Sequence, residues 1–414
     1  MKLAVVAVGV LASAAGGAVG GAVGSAAADP LRLRADALTT TASPAGLLVL
    51  DAQAEPRSGL SAEAIVWMAG ARELDDSASG DVLVMTLRGR TATGRASGQI
   101  GRFVSSLGAL RVTHVDGGAL RVRLPKRFDL EAVAGVPVQP GLATARSWDW
   151  YAGGRASRRL GEWGAIGLAY GQRRDDGQLA SEELAGDAGF TLGKRSDLGA
   201  RLAYDLANPG LAEVAVTASH RRKAVRTDLY AIHRASSHLL PATSLFSVLG
   251  DVPSERAGML VTWRAAPRLD LIADAGARYI GAPSSRPSGE MSDGMTDMLG
   301  AELTGRARLR LDDRGTSALT GELRRSGVGD DTWTGVRGAA RIALPRSFVA
   351  GVEAELVIPD VDRGHGTVWP WGLGSLAWAR GDWQAAIAVE ASASAEYTSR
   401  VDVLAQLSRR WSPR

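Results

Sequence analysis

Residues 301–311 read A-E-L-T-G-R-A-R-L-R-L, and this stretch decides the fold. Its odd-numbered positions are apolar or small, whereas its even-numbered positions carry Glu, Thr and Arg. Successive side chains of a strand point to opposite faces, so a strand here has one apolar wall and one charged wall. A helix would scatter Arg306, Arg308 and Arg310 around its axis. The pattern therefore predicts a two-faced strand.

The same alternation recurs along almost the whole chain, in segments of the ~10-residue length that a tilted strand needs to cross a bilayer. We predict an all-β fold: a single transmembrane antiparallel β-barrel over residues 29–414, with about 18–22 strands and a polar lumen. The competing fold is a secreted soluble β protein, such as tandem sandwiches or a propeller. Sandwiches would need bulky side chains to fill their cores, whereas aromatic residues make up only 5% of this chain. A propeller would show a sequence repeat of fixed length, and none is visible.

The connections between the predicted strands also alternate in length. Residues 194–196, 221–224 and 266–268 form short ones, whereas 138–147, 235–253 and 281–296 form long ones. Segments 174–180 and 327–332 are predicted to be among the longer ones, and Asp116-Gly117-Gly118 is predicted as a turn. Short periplasmic turns and longer extracellular loops are typical of outer-membrane barrels.

Residues 1–28 have the features of a secretory signal peptide. Lys2 is followed by an apolar run, and Ala26-Ala27-Ala28 forms a small-residue cleavage pattern. A single membrane-anchoring helix is the alternative. The chain has no cysteine, which excludes a disulfide scaffold and a thiolate metal site. A signal peptide followed by a barrel predicts the outer membrane of a Gram-negative bacterium.

The near-balance of charge, 48 basic against 44 acidic residues, argues against a nucleic-acid-binding protein. The predominance of Arg over Lys has two interpretations: codon bias in a GC-rich genome, or a lumen lined for anions. The charged faces could form salt bridges that only brace the wall, or a polar track for solutes. The residues predicted to line the pore are Arg88, Arg90, Arg121, Arg123, Arg201, Asp270, Asp274, Glu302, Arg306, Arg308, Arg310, Glu322, Arg324, Arg337, Arg341, Glu353 and Glu355.

Residues 101–114 are the least regular stretch, and residues 102–118 are predicted to form an inward constriction loop that carries Arg102, Arg111, His114 and Asp116. Larger barrels are usually plugged, but no separate plug domain precedes the first predicted strand. Five scattered histidines lack metal-ligand spacing, and no G-x-S-x-G motif is present. We therefore expect no metal, no cofactor and no enzyme activity.

Tryptophan and tyrosine occur mostly near the ends of the predicted strands, which predicts aromatic girdles at the two membrane interfaces. Ordinary packed tryptophans are the alternative. The Trp369-Pro370-Trp371 sequence could instead stack on sugar rings.

Gly101-Arg102-Phe103, followed by Asp116-Gly117-Gly118 and residues 119–124, resembles porin-like outer-membrane families, including those related to the alginate-export barrels. The motif covers only a small part of the chain, and no substrate-contacting residue can be transferred from it. The resemblance implies a pore and, as a special case, export of an acidic polysaccharide through an Arg-lined lumen.

Two functional hypotheses follow. The first is an outer-membrane channel for hydrophilic, including anionic, solutes, with polysaccharide export as the favoured special case. The second is a structural or docking barrel that anchors a secretion or motility complex. The expected partners are outer-membrane lipid, a polar solute or polysaccharide and periplasmic export proteins, with no nucleic acid.

Overall fold

A computed structural model of the chain describes residues 31–41, 45–54, 59–71, 79–138, 149–235, 254–281, 298–328, 331–360, 368–394 and 397–411. The predicted signal peptide, residues 1–28, lies outside these ranges. The described strands are β1 (Leu31–Thr40), β2 (Ala45–Ala54), β3 (Leu60–Ala71), β4 (Ser79–Arg90), β5 (Ala96–Ser105), β6 (Thr113–Leu124), β7 (Phe128–Pro137), β8 (Trp150–Arg159), β9 (Gly164–Asp175), β10 (Gln178–Leu192), β11 (Ser196–Asp205), β12 (Gly210–Arg222), β13 (Val225–Arg234), β14 (Ser254–Ala266), β15 (Leu269–Ile280), β16 (Met298–Arg310), β17 (Ala318–Val328), β18 (Asp331–Leu344), β19 (Phe348–Pro359), β20 (Trp369–Arg380), β21 (Trp383–Ser394) and β22 (Tyr397–Trp411). Two 3-10 turns, Pro125–Arg127 and Pro345–Ser347, join strand pairs.

These strands form one closed barrel. Each strand pairs antiparallel with the next, and β22 pairs with β1, so that Leu33 faces Trp411 and Thr40 faces Leu404. Closure removes the unpaired sheet edge, which is a requirement for strands in lipid because the bilayer core offers no hydrogen bonds. The prediction of a single antiparallel barrel is confirmed, and its 22 strands lie at the upper end of the predicted range.

The connections differ between the two rims. Leu31 and Trp411 lie at the same rim, which we call the terminal rim; the other is the distal rim. Connections at the terminal rim are short, for example residues 223–224 and 381–382. The strand ends that flank the longest stretches between neighbouring strands, Arg234 with Ser254 and Ile280 with Met298, lie at the distal rim. The predicted separation of short turns from long loops is therefore present.

Two distal connections are shorter than predicted. Strands β9 and β10 are joined by Asp176 and Gly177 alone, and residues 329–330 join β17 to β18. Asp176 and Gly177 both have positive φ, 50° and 75°, which is the type I′ geometry that Asp-Gly favours in a tight hairpin. The predictions of longer segments at 174–180 and 327–332 were wrong because most of these residues continue the strands.

The two faces of the wall differ as the alternation predicts. On the outward face of β16, Leu299, Leu303 and Leu309 are 73%, 52% and 40% exposed. On its inward face, Arg306 forms an ion pair with Glu322. Inward and outward residues alternate along every strand of a barrel, and exposed leucine, isoleucine, valine and methionine side chains occupy many outward positions of the other strands. No helix in the described ranges is long and apolar enough to cross a membrane.

Outward aromatic side chains collect near both rims. At the terminal rim, Trp163 and Phe190 stack with ring centroids 5.6 Å apart, and the Arg409 guanidinium lies 4.7 Å from the ring centroid of Trp383. Near the distal rim, Trp150 is 38% exposed and has Arg174 over its ring. Amphipathic rings prefer the headgroup level, so these positions are those of an interfacial girdle.

Candidate functional site

The inward face carries a network of ion pairs that connects strands distant in sequence. Arg155 on β8 donates two hydrogen bonds to Asp187 on β10, at 3.0 and 2.7 Å, and a third to Glu131 on β7, at 3.2 Å. Gly167 on the intervening strand makes this possible, because a Cβ there would lie only 2.7 Å from the Arg155 Nη2 atom. Forked contacts of this kind hold an arginine in one orientation.

A second part of the network covers the opposite wall. Glu322 on β17 pairs with Arg306 and Arg324, and Arg324 also reaches Glu355 on β19. Arg337 pairs with Glu353. Most of these groups are only partly exposed, so their charges are screened less than at an open surface. The arrangement braces the wall and leaves the lumen strongly polar.

All seventeen residues predicted to line the pore lie on the inward, polar face. Several of them stand opposite one another across neighbouring strands, as Arg306 does with Glu322 and Arg337 with Glu355. Most take part in ion pairs, but no described carboxylate lies within 4 Å of Arg90, Arg308 or Arg341. Their contact with a passing solute stays a prediction.

Residues 106–112, which join β5 to β6 and which we call the inward segment, pack on the inner face of β8 to β11. Leu107 and Leu110 are 5% exposed and form a cluster with Tyr151, Ala169 and Ala185, among others. Gly153 and Gly171 make room for these leucines: an added Cβ would lie 3.0 Å from Leu107 Cδ1 and 3.2 Å from Leu110 Cδ1.

A polar contact fastens the end of the inward segment. The backbone N–H of Arg111 donates to Glu183 at 3.1 Å, and the two side chains form an ion pair at 3.5 Å. Burial lowers the pKa of the Arg111 guanidinium, while the Glu183 carboxylate opposes that shift. Of the four residues predicted in a constriction, Arg111 is the one in this segment.

The other three predicted constriction residues lie in the wall. Arg102 is in β5, and His114 and Asp116 are in β6. Arg102 points outward, because Ile100 and Val104, two residues away on either side, are 62% and 53% exposed. The prediction failed because polar residues occupy outward as well as inward positions here, which hides the alternation.

The predicted turn at Asp116-Gly117-Gly118 was also wrong, because these residues lie inside β6. Gly117 is needed for a close approach of strands. A Cβ on Gly117 would lie 2.6 Å from the Cα of Gly135 on β7 and 2.1 Å from the Ala134 carbonyl oxygen. Glycine within a strand often marks such contacts between backbones.

Arg102 has a bracing role in the wall. Strands β4 and β5 pair only from Met85 to Arg90, so the distal part of β4 lacks a partner on that side. There, Arg102 donates hydrogen bonds to the Val82 carbonyl and the Asp81 carboxylate, at 2.8 and 2.9 Å, and two to Asp116. The guanidinium thus replaces some of the backbone hydrogen bonds that are missing between the distal parts of β4 and β5.

Arg155, Asp187 and Glu183 also lie on the inward face, although none of them was predicted to line the pore. The signal was present, because Gly153, Arg155 and Ser157 alternate with small residues along β8. The many glycines and alanines on both faces of these strands weaken the contrast that identifies a polar side.

The described residues contain no group of His, Asp and Glu that could hold a metal ion. One Ser–His contact occurs: Ser196 Oγ and His220 Nδ1 are 2.9 Å apart at the terminal rim. Within the described chain, no carboxylate bonds to that imidazole. A nucleophilic triad needs an acid to orient its histidine, and this pair lacks one.

No protein-family model matches the chain, and no curated protein matches it. Solved structures match its fold. The P pilus usher (PapC) translocation pore aligns with a TM-score of 0.53 at 9% identity, over 93% of this chain and 99% of the usher chain. A ferric enterobactin receptor mutant (PfeA) from Pseudomonas aeruginosa, in complex with enterobactin, aligns with a TM-score of 0.60 at 9% identity, over 92% and 81%.

The FrpB iron transporter from Neisseria meningitidis has a TM-score of 0.57 at 8% identity, over 92% of this chain and 81% of its own. Identities this low establish the fold alone. The closed wall, its apolar outer face and its polar inner face are the architecture of a bacterial outer-membrane β-barrel.

Proposed function

We propose that this protein is an outer-membrane channel for hydrophilic solutes. The observation that carries the proposal is the inward placement of the charged side chains in a closed wall whose outer face is apolar. A barrel that only filled its interior with packed apolar side chains would have no need for this distribution. The usher pore and the receptors above share the fold and support the proposal as analogies.

The size of the barrel is sufficient for passage. Twenty-two strands spaced about 4.8 Å apart and tilted by about 40° give a backbone radius of roughly 22 Å for a circular section. The inward segment has seven residues, 106–112, and packs on one wall. Barrels with 22 strands are often plugged, so the passage is expected to be narrowed rather than fully open.

Polysaccharide export is the special case that we favour. Trp333 and Trp371 lie on the inward face in the distal half, where Arg324 and Arg337 stand 5.5 and 6.0 Å from their ring centroids. Trp371 Nε1 also donates to Glu390 at 2.8 Å. Rigid aromatic surfaces beside charged groups suit sugar rings that carry acidic substituents.

The test is conductance of the purified protein in planar bilayers. We expect discrete conductance steps that are absent with detergent alone and with heat-unfolded protein. Liposome swelling in neutral sugars of increasing length then measures the width of the passage. Absence of current at every applied voltage, from protein with the heat-modifiable mobility of a folded barrel, would refute the channel.

The terminal rim favours a second candidate, a docking barrel. Its described turns contain nine basic residues, namely Arg95, Lys126, Arg127, Lys194, Arg195, Lys223, Arg268, Arg314 and Arg346. They contain four acidic residues, namely Glu162, Asp312, Asp313 and Asp382. A basic rim in the periplasm suits an acidic partner protein. Co-purification of such a partner, together with normal solute uptake after deletion, would favour docking over passage.

A further inference from the structure

A cavity on the inward face near the terminal rim, formed by β15 to β20, contains three arginines. It has a volume of about 360 Å³, and Arg306, Arg308 and Arg341 line it. The rest of its lining is mostly uncharged, with short side chains such as Ala318, Thr320 and Ser375 beside the larger Ile272 and Leu373. We call it the arginine pocket.

Two of these arginines lack an acidic partner. Arg306 is engaged by Glu322, but no described carboxylate lies within 4 Å of Arg308 or Arg341. The Nε of Arg341 is buried without a hydrogen-bond partner. Most inward arginines in the described strands are ion-paired, so these two, like Arg90, are exceptions in the network.

The nearby carboxylates are already used. Asp270, which faces Arg308 across the β15–β16 pair, accepts contacts from Arg264 at 3.3 Å and Arg310 at 3.4 Å. Glu353, which also lines the pocket, is paired with Arg337. The pocket therefore retains a local excess of positive charge that the protein itself does not neutralise.

The spacing allows both arginines to reach one ligand. Arg308 is on β16 and Arg341 on β18, in adjacent rows of the pairing register. Two strand spacings, combined with the offset of two residues along the strand, place their backbones about 12 Å apart. The long side chains can converge across the small residues between them. Guanidinium groups present forked donors that match the oxygens of carboxylate and phosphate.

We propose that the arginine pocket is a binding subsite for an oxyanion, a carboxylate or phosphate group, carried by a hydrophilic solute that enters the lumen. The inference rests on the proposed channel function and adds the solute class and the place where the solute is held. A subsite near the terminal rim would raise the local concentration of anions at the periplasmic mouth.

Binding is measured by isothermal titration of the folded protein in detergent with trigalacturonate, with tripolyphosphate and with neutral maltotriose. We expect saturable binding of one or both anions and no binding of maltotriose. The anion that binds with the higher affinity shows whether the site prefers a carboxylate or a phosphate group. The R308Q/R341Q variant is expected to bind about tenfold more weakly, because two charge-assisted contacts are lost in a hydrated site. The R308K/R341K variant keeps the positive charge but loses the paired N–H donors of the guanidinium, so its loss of anion affinity should be smaller.

The matched control is R158Q/R409Q. It removes the same charge at the same rim, from arginines that lie on the outward aromatic rings of Phe128 and Trp383. Wild-type affinity is expected for the control. Equal affinity of R308Q/R341Q and wild type, equal weakening by the control, or no anion binding to the wild type would overturn the subsite.

Reversal potentials in a salt gradient separate the two proposals. The wild type should prefer anions, and R308Q/R341Q should lose a measurable part of that preference while still conducting. Anion binding without any conductance would refute the channel and leave the site. Conductance with an unchanged reversal potential and unchanged affinity in the variant would refute the site and leave the channel.

Discussion

The inward segment is predicted to be held on the wall mainly by Leu107 and Leu110. Both side chains are 5% exposed. Replacing a buried leucine by alanine costs about 2–5 kcal/mol, and the lower end applies here because water can enter the vacated space from a hydrated lumen. The Leu107→Ala/Leu110→Ala variant should therefore weaken the packed state by about 4 kcal/mol, or roughly a thousandfold in the equilibrium constant.

The assay uses the absence of cysteine from the chain. Ala109 is 1% exposed, so Ala109→Cys supplies a single thiol that is hidden while the segment is packed. Maleimide labelling of this thiol should be slow in the parent. In the double-alanine background it should accelerate by two to three orders of magnitude, up to the rate of a fully exposed thiol, if opening precedes labelling.

The control is Leu373→Ala/Leu404→Ala, which removes the same number of atoms from a separate inward cluster. Leu373 and Leu404 are each 7% exposed and do not contact the inward segment. Labelling of Cys at position 109 should stay slow in this background. An unchanged rate in the Leu107/Leu110 variant, or equal acceleration in both variants, would show that the leucines do not hold the segment.

Two further predictions concern the backbone of the wall and a turn. Gly101→Ala should prevent assembly, because Gly101 has a φ of 115° and its Cβ would lie 2.0 Å from the Met85 carbonyl oxygen; Gly98→Ala, whose nearest contact is 3.4 Å, should fold, and heat-modifiable mobility of both variants checks this. In the turn after β16, hydrogen bonds from Thr316 and its neighbour lower the pKa of Asp312 below its ordinary value of 3.8. The stabilisation of the turn by the Asp312 carboxylate is therefore present above that value and lost as pH falls toward the folded pKa. The backbone amide of Thr316 should lose protection from hydrogen exchange below about pH 4. The Asp312→Ala variant should show low protection of this amide at every pH. Protection that persists in the variant would contradict this role.

The strand pattern could be predicted well because it depends on local chemistry. In residues 301–311 every second side chain is polar, and β16 presents those side chains to the lumen. The least regular stretch, residues 101–114, was the least well predicted. Its outward Arg102 is tolerated because it bonds to Asp116 on β6 and to β4, and this pairing across strands has no local signature.

The position of tight turns also depends on neighbouring strands, so an Asp-Gly sequence alone does not identify a turn. An Asp-Gly sequence fits both the hairpin at Asp176-Gly177 and the interior of β6 at Asp116-Gly117. The first pair has φ values of 50° and 75° and reverses the chain. In the second, glycine is required because β7 lies close by. The neighbouring strand decides between these outcomes.

The amino-acid sequence alone determined the two-faced wall, the approximate number of strands, the polar interior and the short turns at one rim, because each follows from periodicity and turn chemistry within a few residues. The tertiary structure decided which charges are neutralised and which stay available. Arg155 meets Asp187, 32 residues away, and Ser408 bonds to Asp36 across the closure of the barrel, whereas Arg308 and Arg341 have no carboxylate within 4 Å among the described residues. Pair formation depends on register and side-chain reach across strands, and these exist only once the barrel has closed.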